Sequence, residues 1–364
     1  MKKFILSAVL ALLCAGSSFA ADIPVLRCSY GITTHQQAFM VAMSMGEDLK
    51  DLGVWLTPVV PKEKYDLMVN GEKVARLNVI VTKSGSEATS LFAQDHLDLT
   101  VNSFPAMLSG IDRGTKIKVL GPLQADGIAM VSRNDIDVKG WDGFSAYVTA
   151  AKRPVTVGYH SPTSAPKIVF EGAMDASGFR ITGDANATKT DADILMVDLK
   201  SISNAIPALV AGQVEFCVLP APPPEVVESK KQGHIVLQLG DLPPEGQWTS
   251  FPCCCIAGTE KIIAEQPRAV KAYVDLITAV SKWCMEHKHD AAVATSNWLG
   301  VPVEIIEGAH MRFFTDVTPK WLHNASEYPD VLNRLGQLTG RLKDKKLSDV
   351  MDVVFDFSFV SVSQ

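Results

Sequence analysis

Short apolar runs alternate along the chain with longer segments of helical period, and this alternation constrains the fold more than any other sequence feature. The run Val25–Tyr30 precedes a polar turn at 31–37 and a helical segment that extends to about Leu52. Val155–Tyr159 likewise precedes a helical segment that extends to about Ala176. Such alternation is typical of α/β proteins, in which helices join the strands and cover the sheet. The sequence therefore predicts an α/β fold with largely parallel sheets.

One local arrangement occurs four times: a strand, a turn of Ser, Thr, Gly or Asn, and then the start of a helix. The four turns lie at 33–37, 83–87, 102–105 and 161–167. Each exposes backbone N–H groups at the positive end of a helix dipole, which favours an anion or a carboxylate. Any one of them can equally be an ordinary capped helix. Because ligands of open α/β sheets bind at the carboxyl ends of strands, four such turns in two halves of the chain predict a cleft between two domains.

The first 20 residues have the pattern of an export signal. Two lysines precede an apolar stretch from Phe4 to Leu13, and small residues end at Ala20. The stretch is shorter than the roughly 20 apolar residues that a membrane span needs. We therefore expect cleavage after Ala20 and a mature protein in the periplasm. A lipoprotein site at Cys14 is the alternative, although leucines precede that cysteine where small residues are usual.

The composition and the motifs exclude several classes of function. With 34 Lys+Arg against 40 Asp+Glu, the chain lacks the basic surface of a nucleic-acid-binding protein. The P-loop, the dinucleotide-binding glycine pattern and the G-x-S-x-G of serine hydrolases are absent. Cys253, Cys254 and Cys255 lack C-x-x-C spacing and are interpreted as small buried strand residues, while the pairing of the six cysteines after Cys14 stays open. The sequence thus predicts no nucleic-acid partner, no cofactor, no catalytic residue and no metal site.

Two features of the linking segments predict local structure. Asn70-Gly71, between alternating apolar flanks, predicts a two-residue turn within an insertion-like hairpin at 66–81. The prolines at 222–224 are expected to stop the preceding strand and to hold an extended path. Segments near 127–132 and 252–257 are expected to cross between the two domains.

Three stretches of the sequence, 98–106, 158–164 and 208–218, carry a family resemblance. They read DLTVNSFPA, GYHSPTS and ALVAGQVEFCV, and in this order and spacing they resemble the solute-binding proteins of ABC importers for nitrate, sulfonates, taurine and bicarbonate. That family also contains binders and makers of the thiamine pyrimidine precursor. The resemblance implies an α/β, two-lobe periplasmic binding protein fold of type II with two crossing hinge strands. It also implies a division into a signal peptide (1–20), the first part of lobe 1 (21–125), lobe 2 (126–255) and the return to lobe 1 with C-terminal helices (256–364).

The resemblance further implies a receptor without enzymatic activity. Such a protein closes on a small anionic solute, delivers it to an ABC permease in the membrane, and acts as a monomer. His35, His160 and Lys83 are the candidates to meet an anionic head group, and Trp248 is a candidate apolar wall of the cleft. The ligand-binding residues implied for this chain are Thr33, Thr34, His35, Ser84, Ser86, Asn102, His160, Ser161, Thr163 and Ser164.

Two other interpretations stay open. One is a thiamine-pyrimidine-precursor binder or a synthase-like enzyme of the same fold, whose Cys-rich iron motif resembles the run at 253–255. This chain has Ile256 and Ala257 after the run, where that motif has a further cysteine. The other is a soluble partner of a membrane sensor. The hairpin at 66–81 departs from the commonest pattern of the family, so the identity of the solute stays open.

Overall fold

The computed structural model describes residues 23–363. The predicted export signal and Cys14 lie outside the described residues. Within the described part, every helix is too short or too polar to cross a membrane.

The described residues form 14 strands and 13 α-helices. The strands are β1 Val25–Tyr30, β2 Val54–Val60, β3 Lys64–Val69, β4 Glu72–Val81, β5 Leu99–Ser103, β6 Ile117–Asp126, β7 Ile128–Arg133, β8 Val155–Tyr159, β9 Ile181–Thr182, β10 Ile194–Asp198, β11 Phe216–Pro220, β12 Gly233–Gln238, β13 Pro252–Thr259 and β14 Met311–Phe313. The helices are α1 Gln37–Met45, α2 Gly85–Ala93, α3 Phe104–Asp112, α4 Gly140–Ala150, α5 Ala165–Ala176, α6 Ala205–Val210, α7 Pro223–Ser229, α8 Glu260–Glu265, α9 Pro267–Glu286, α10 Lys288–Leu299, α11 Val303–Glu307, α12 Pro319–Arg334 and α13 Met351–Val354.

The strands form two sheets, and each sheet with its helices is called a lobe here. Lobe 1 has eight strands in the order β14-β6-β13-β5-β1-β4-β3-β2, and lobe 2 has six in the order β12-β7-β11-β8-β10-β9. The expectation of largely parallel sheets is wrong, because both sheets are mixed. The strands that begin after a crossing between lobes, β7 and β13, run antiparallel to their neighbours, and so do the strands of the β2–β3–β4 hairpins. β1 pairs in parallel with β4 and β5, and β8 with β10 and β11.

The chain crosses between the two sheets at two neighbouring places. The first crossing is the Asp126-Gly127 step between β6 and β7, where both residues have a positive φ, 62° and 63°. The second crossing leads into β13 through Ser250, whose φ is 58°. The backbone N–H of Ser250 donates to Oδ1 of Asp126 over 2.9 Å, so the two crossings are hydrogen-bonded to each other. The division of the chain at residues 125 and 255 stays a prediction.

The proline run does not hold an extended path, and this expectation is wrong. α7 begins at Pro223, with prolines in its first turn. The first N–H groups of a helix have no acceptor within it, so a proline there loses nothing, and its fixed φ suits the helix. The hairpin turn at Asn70-Gly71 is confirmed: both residues have a positive φ, 48° and 86°, and Val69 lies opposite Glu72.

A buried carboxylate anchors the C-terminal segment on lobe 1. Asp112, the last residue of α3, is only 3% exposed. Its two oxygens accept the backbone N–H groups of Thr339, Gly340 and Leu342 over 2.8 to 3.1 Å. A Cβ at position 340 would lie 2.1 Å from the carbonyl oxygen of Asp112, so only glycine fits there. This contact fixes the chain after α12 against the helix that follows β5.

Candidate functional site

A cavity of about 190 Å³ lies between the two lobes. Its wall in lobe 1 consists of the turns that follow β1, β4 and β5. Lobe 2 contributes the turns that follow β8 and β10, and β13 supplies Cys253 and Cys254. The cavity, called the cleft below, therefore lies at the carboxyl ends of strands from both sheets, where ligands of α/β folds bind.

The cleft brings together six of the ten residues that the sequence analysis selected. The other four, Thr34, Ser86, Ser161 and Thr163, lie beside it and do not line it. Trp248 also lies elsewhere: it is 1% exposed, and its indole N–H donates to the carbonyl of Pro243. The six residues that line the cleft are Thr33, His35, Ser84, Asn102, His160 and Ser164.

Beside the cleft, hydroxyl groups of the two lobes are hydrogen-bonded to each other. The Oγ of Ser86 on α2 lies 3.0 Å from Oγ of Ser161 and 2.8 Å from Oγ1 of Thr163. The hydroxyl of Ser103 donates to the carbonyl of Thr163 over 3.3 Å. These contacts hold the lobes close together in the described conformation.

Three helices begin at the wall of the cleft. Ser84 caps α2 by accepting the backbone N–H of Glu87. Ser103 and Ser164 occupy the N-cap positions of α3 and α5. The first-turn N–H groups and the positive dipole ends of these helices make the cleft attractive to negative charge. Among the described residues that line it, Lys83 is the only lysine or arginine, and its side chain is exposed.

His35 is held in one orientation at the base of the cleft. Its Nε2 lies 2.8 Å from the carbonyl oxygen of Gly127 in the first crossing. A carbonyl oxygen only accepts, so Nε2 carries the proton and, in the neutral ring, Nδ1 has a free lone pair. Nδ1 faces two thiols, Cys253 Sγ at 3.2 Å and Cys254 Sγ at 4.0 Å.

A bulge in β13 brings the two thiols to the same histidine. Neighbouring side chains of a regular strand point to opposite faces. Here the register against β6 shifts between Pro252 and Cys254, so Cys253 has no partner in that ladder. The Nε2 amide of Gln36 also donates to Cys254 Sγ over 3.2 Å. The cleft wall therefore contains a compact set of nitrogen and sulfur donors.

The two thiols differ in acidity. Burial opposes ionisation of Cys254, but its side-chain contacts with Cys253 and His35 outweigh burial and lower the pKa of the Cys254 thiol. The pKa of Cys253 is held well above its ordinary value by its hydrogen bond to Cys254 and by burial. The donor atoms of His35, Cys253 and Cys254 lie within 4.8 Å of one another. Among the described residues they are the group that could hold a metal ion, and this donor set suits a soft cation.

His160 contributes an unpartnered polar atom to the cleft. The residue is 8% exposed, and its Nδ1 is buried without a hydrogen-bond partner in the described structure. Burial, and in second place the charge of nearby His35, lower the pKa of His160 to about 4. The ring is therefore neutral at physiological pH, and its Nδ1 lacks a hydrogen-bond partner among the described residues.

Seven polar residues of the cleft wall were not predicted from the sequence. Five of them end a strand or follow one, so the rule that selected the other turns would have found them. Cys253 and Cys254 had no such signal, because His35 and Cys253 are separated by 218 positions in the chain. The seven residues that were not predicted are Gln36, Thr82, Ser103, Ser201, Ser203, Cys253 and Cys254.

Comparison with known proteins gives the following matches. A family model described as the NMT1-like family matches residues 28–299. An uncharacterised protein of Methanocaldococcus jannaschii is 30% identical over 113 residues, which are 30% of this chain and 78% of that protein.

Solved structures share the fold at low sequence identity. The alkanesulfonate-binding protein SsuA from Xanthomonas axonopodis pv. citri bound to MOPS has a TM-score of 0.66 at 11% identity, over 92% of this chain and 99% of that one. The periplasmic nitrate-binding protein NrtA from Synechocystis PCC 6803 has a TM-score of 0.67 at 13% identity, over 93% and 87%. The ligand-binding component of an ABC-type import system from Staphylococcus aureus, with zinc bound, has a TM-score of 0.66 at 11% identity, over 92% and 97%. The predicted two-lobe periplasmic binding protein fold is thereby confirmed.

Proposed function

Since this chain belongs to the NMT1-like family, we propose that it is an extracytoplasmic receptor that captures a small anionic solute between its lobes. Its lobes close by a hinge motion at the two crossings, and the closed form delivers the solute to an ABC permease. The protein acts in the periplasm as a monomer and has no enzymatic activity. The similar SsuA and NrtA proteins are described as binding alkanesulfonate and nitrate, which supports this class of solute.

One observation carries the proposal: helix N-termini from both lobes meet at one cavity. α2 and α3 of lobe 1 and α5 of lobe 2 begin there, at Ser84, Ser103 and Ser164. A solute that accepts hydrogen bonds from both lobes gains most of its contacts only when the lobes are together. Binding therefore stabilises the closed form, as in other hinge proteins.

Thermal unfolding with a panel of small anions tests the proposed function. The panel is nitrate, bicarbonate, taurine and short alkanesulfonates, with chloride as the reference salt. A solute present at 100 times its Kd should stabilise the protein by about 2.7 kcal/mol and raise the Tm accordingly. The same rise should be lost in His160→Gln and kept in His96→Gln, whose exposed histidine lies outside the cleft. No rise with any member of the panel contradicts the proposal.

A second candidate function is favoured by the donors at the base of the cleft. His35, Cys253 and Cys254 offer one nitrogen and two sulfurs to a metal, and neutral His160 suits a hydrogen bond to a heterocycle. These features fit a thiamine-pyrimidine-precursor binder or a synthase-like enzyme of the same fold. Iron in the purified protein, together with turnover of a cofactor-derived substrate, would favour the enzyme. Tm stabilisation by the hydroxymethylpyrimidine alone would favour the binder.

Removing the hydroxyl of Ser86 is expected to shift the lobes toward the open form. Ser86→Ala loses both hydroxyl contacts to lobe 2, and each is worth about 1 kcal/mol. The radius of gyration of the solute-free protein, measured by small-angle X-ray scattering, should increase. Ser90→Ala is the matched control, because its hydroxyl donates only to the carbonyl of Ser86 in the same helix. Identical scattering from the Ser86 and Ser90 variants would show that these contacts do not hold the lobes together.

A further inference from the structure

A second cavity, of about 820 Å³, lies in lobe 1 and shares no lining residue with the cleft. The end of α9, the helices α10 and α11, the strand β14 and the start of α12 enclose it. It is much larger than the cleft and has the size of a site for a molecule with a long hydrocarbon part.

Apolar side chains form one part of this cavity. Met285 at the end of α9 is 39% exposed and lines the cavity. Phe313 and Phe314 are half-buried and line the same space, as does the buried side chain of Ile306. Phe313 and Phe314 pack against the core with part of their surface and line the cavity with the rest. Covering their exposed part and Met285 with hydrocarbon would remove apolar surface from water.

Two lysines that make no ion pair within residues 23–363 lie beside the apolar part of the cavity. Arg312 pairs with Asp126 over 3.1 Å, and Glu307 pairs with His289 over 2.7 Å. The two remaining charged residues of the lining, Lys288 and Lys320, are exposed and make no ion pair within residues 23–363. The cavity therefore offers two free ammonium groups beside an apolar wall, which is the complement of a molecule with one anionic end and an apolar tail.

We propose that this cavity is a second binding site, for an amphipathic monoanion such as a straight-chain carboxylate or alkanesulfonate. The hydrocarbon tail lies against Met285, Phe313 and Phe314, and the anionic head group meets Lys288 and Lys320. The site is independent of the solute proposed for the cleft.

Isothermal titration of the intact protein with hexanoate, octanoate and decanoate tests the site. The affinity should rise about fourfold for each added methylene as the tail covers apolar surface. The double variant Lys288→Gln/Lys320→Gln should bind decanoate at least tenfold more weakly. Lys282→Gln is the matched control, since this exposed lysine of α9 lies outside the cavity. Equal affinities for the three chain lengths, or undiminished binding by the double variant, would overturn the inference.

Two further measurements show whether decanoate binds in this cavity or in the cleft. Neither of them depends on correct folding of the double variant. Decanoate binding should be unchanged in His160→Gln, and its loss there would place the ligand in the cleft and overturn the inference. A decanoate that carries a photoreactive diazirine should label peptides containing Met285 or Phe313 in the unmodified protein. Labelling confined to other peptides would also overturn it.

Discussion

Asp112→Ala is expected to lower the free energy of unfolding by about 3 kcal/mol, because three backbone N–H groups lose a buried charged acceptor at once. Those groups belong to Thr339, Gly340 and Leu342, and the carboxylate that binds them is 3% exposed. The N–H group of Leu342 is in the buried part of this contact, where water replaces the lost acceptor least easily. Urea unfolding followed by circular dichroism measures the change.

The isosteric variant Asp112→Asn separates hydrogen bonding from packing. It keeps one acceptor oxygen and should lose roughly half as much stability. Asp137→Ala, at an exposed aspartate, should stay within about 0.5 kcal/mol of the unmodified protein. If Asp112→Ala unfolds at the same urea concentration as Asp137→Ala, the carboxylate does not anchor the C-terminal segment.

Acidification from pH 7 to pH 4 is expected to remove about 3 kcal/mol of stability through His160 alone. The folded-state pKa of this residue is about 4, against an ordinary value of 6.5. Between these values the unfolded chain binds the proton and the folded chain does not, so the free energy of unfolding falls as the pH falls. Burial is the main cause and the charge of His35 the second.

The variant His160→Gln checks the origin of this pH dependence. Its amide cannot titrate, so its free energy of unfolding should fall less between pH 7 and pH 4 than that of the unmodified protein. The difference between the two proteins, from urea unfolding at each pH, should amount to about 3 kcal/mol. His96→Gln, an exposed control, should follow the unmodified protein. Parallel curves for all three would mean that His160 titrates normally in the folded state.

Much of the cleft could be predicted from sequence because its residues follow strands directly. Thr33, Asn102 and His160 each lie within a few residues of the end of a strand, and the carboxyl ends of parallel strands meet at one edge of a sheet. A local pattern is enough to place such residues. The same rule cannot distinguish a turn residue that faces the cleft from its neighbour: Ser84 lines the cleft, whereas Ser86, two positions later, contacts the opposite lobe.

The rest of the site depends on contacts between distant parts of the chain. Cys254 lies at the cleft because β13 pairs antiparallel with β5, which places it opposite Ser103, and because a bulge alters the local register. Neither the partner strand nor the bulge has a local signature in the sequence. The proline run was misinterpreted for a different reason: prolines permit either an extended path or a helix start, and the residues after them decide.

The carbonyl oxygen of Gly127 accepts two hydrogen bonds, from the His35 ring and from the backbone N–H of Ala221, each over 2.8 Å. That oxygen belongs to the first crossing between the lobes, so one atom of a connecting segment orients the imidazole. The ring in turn faces the sulfur atoms of Cys253 and Cys254. A change of the backbone at Gly127 is therefore expected to move the imidazole relative to both thiols.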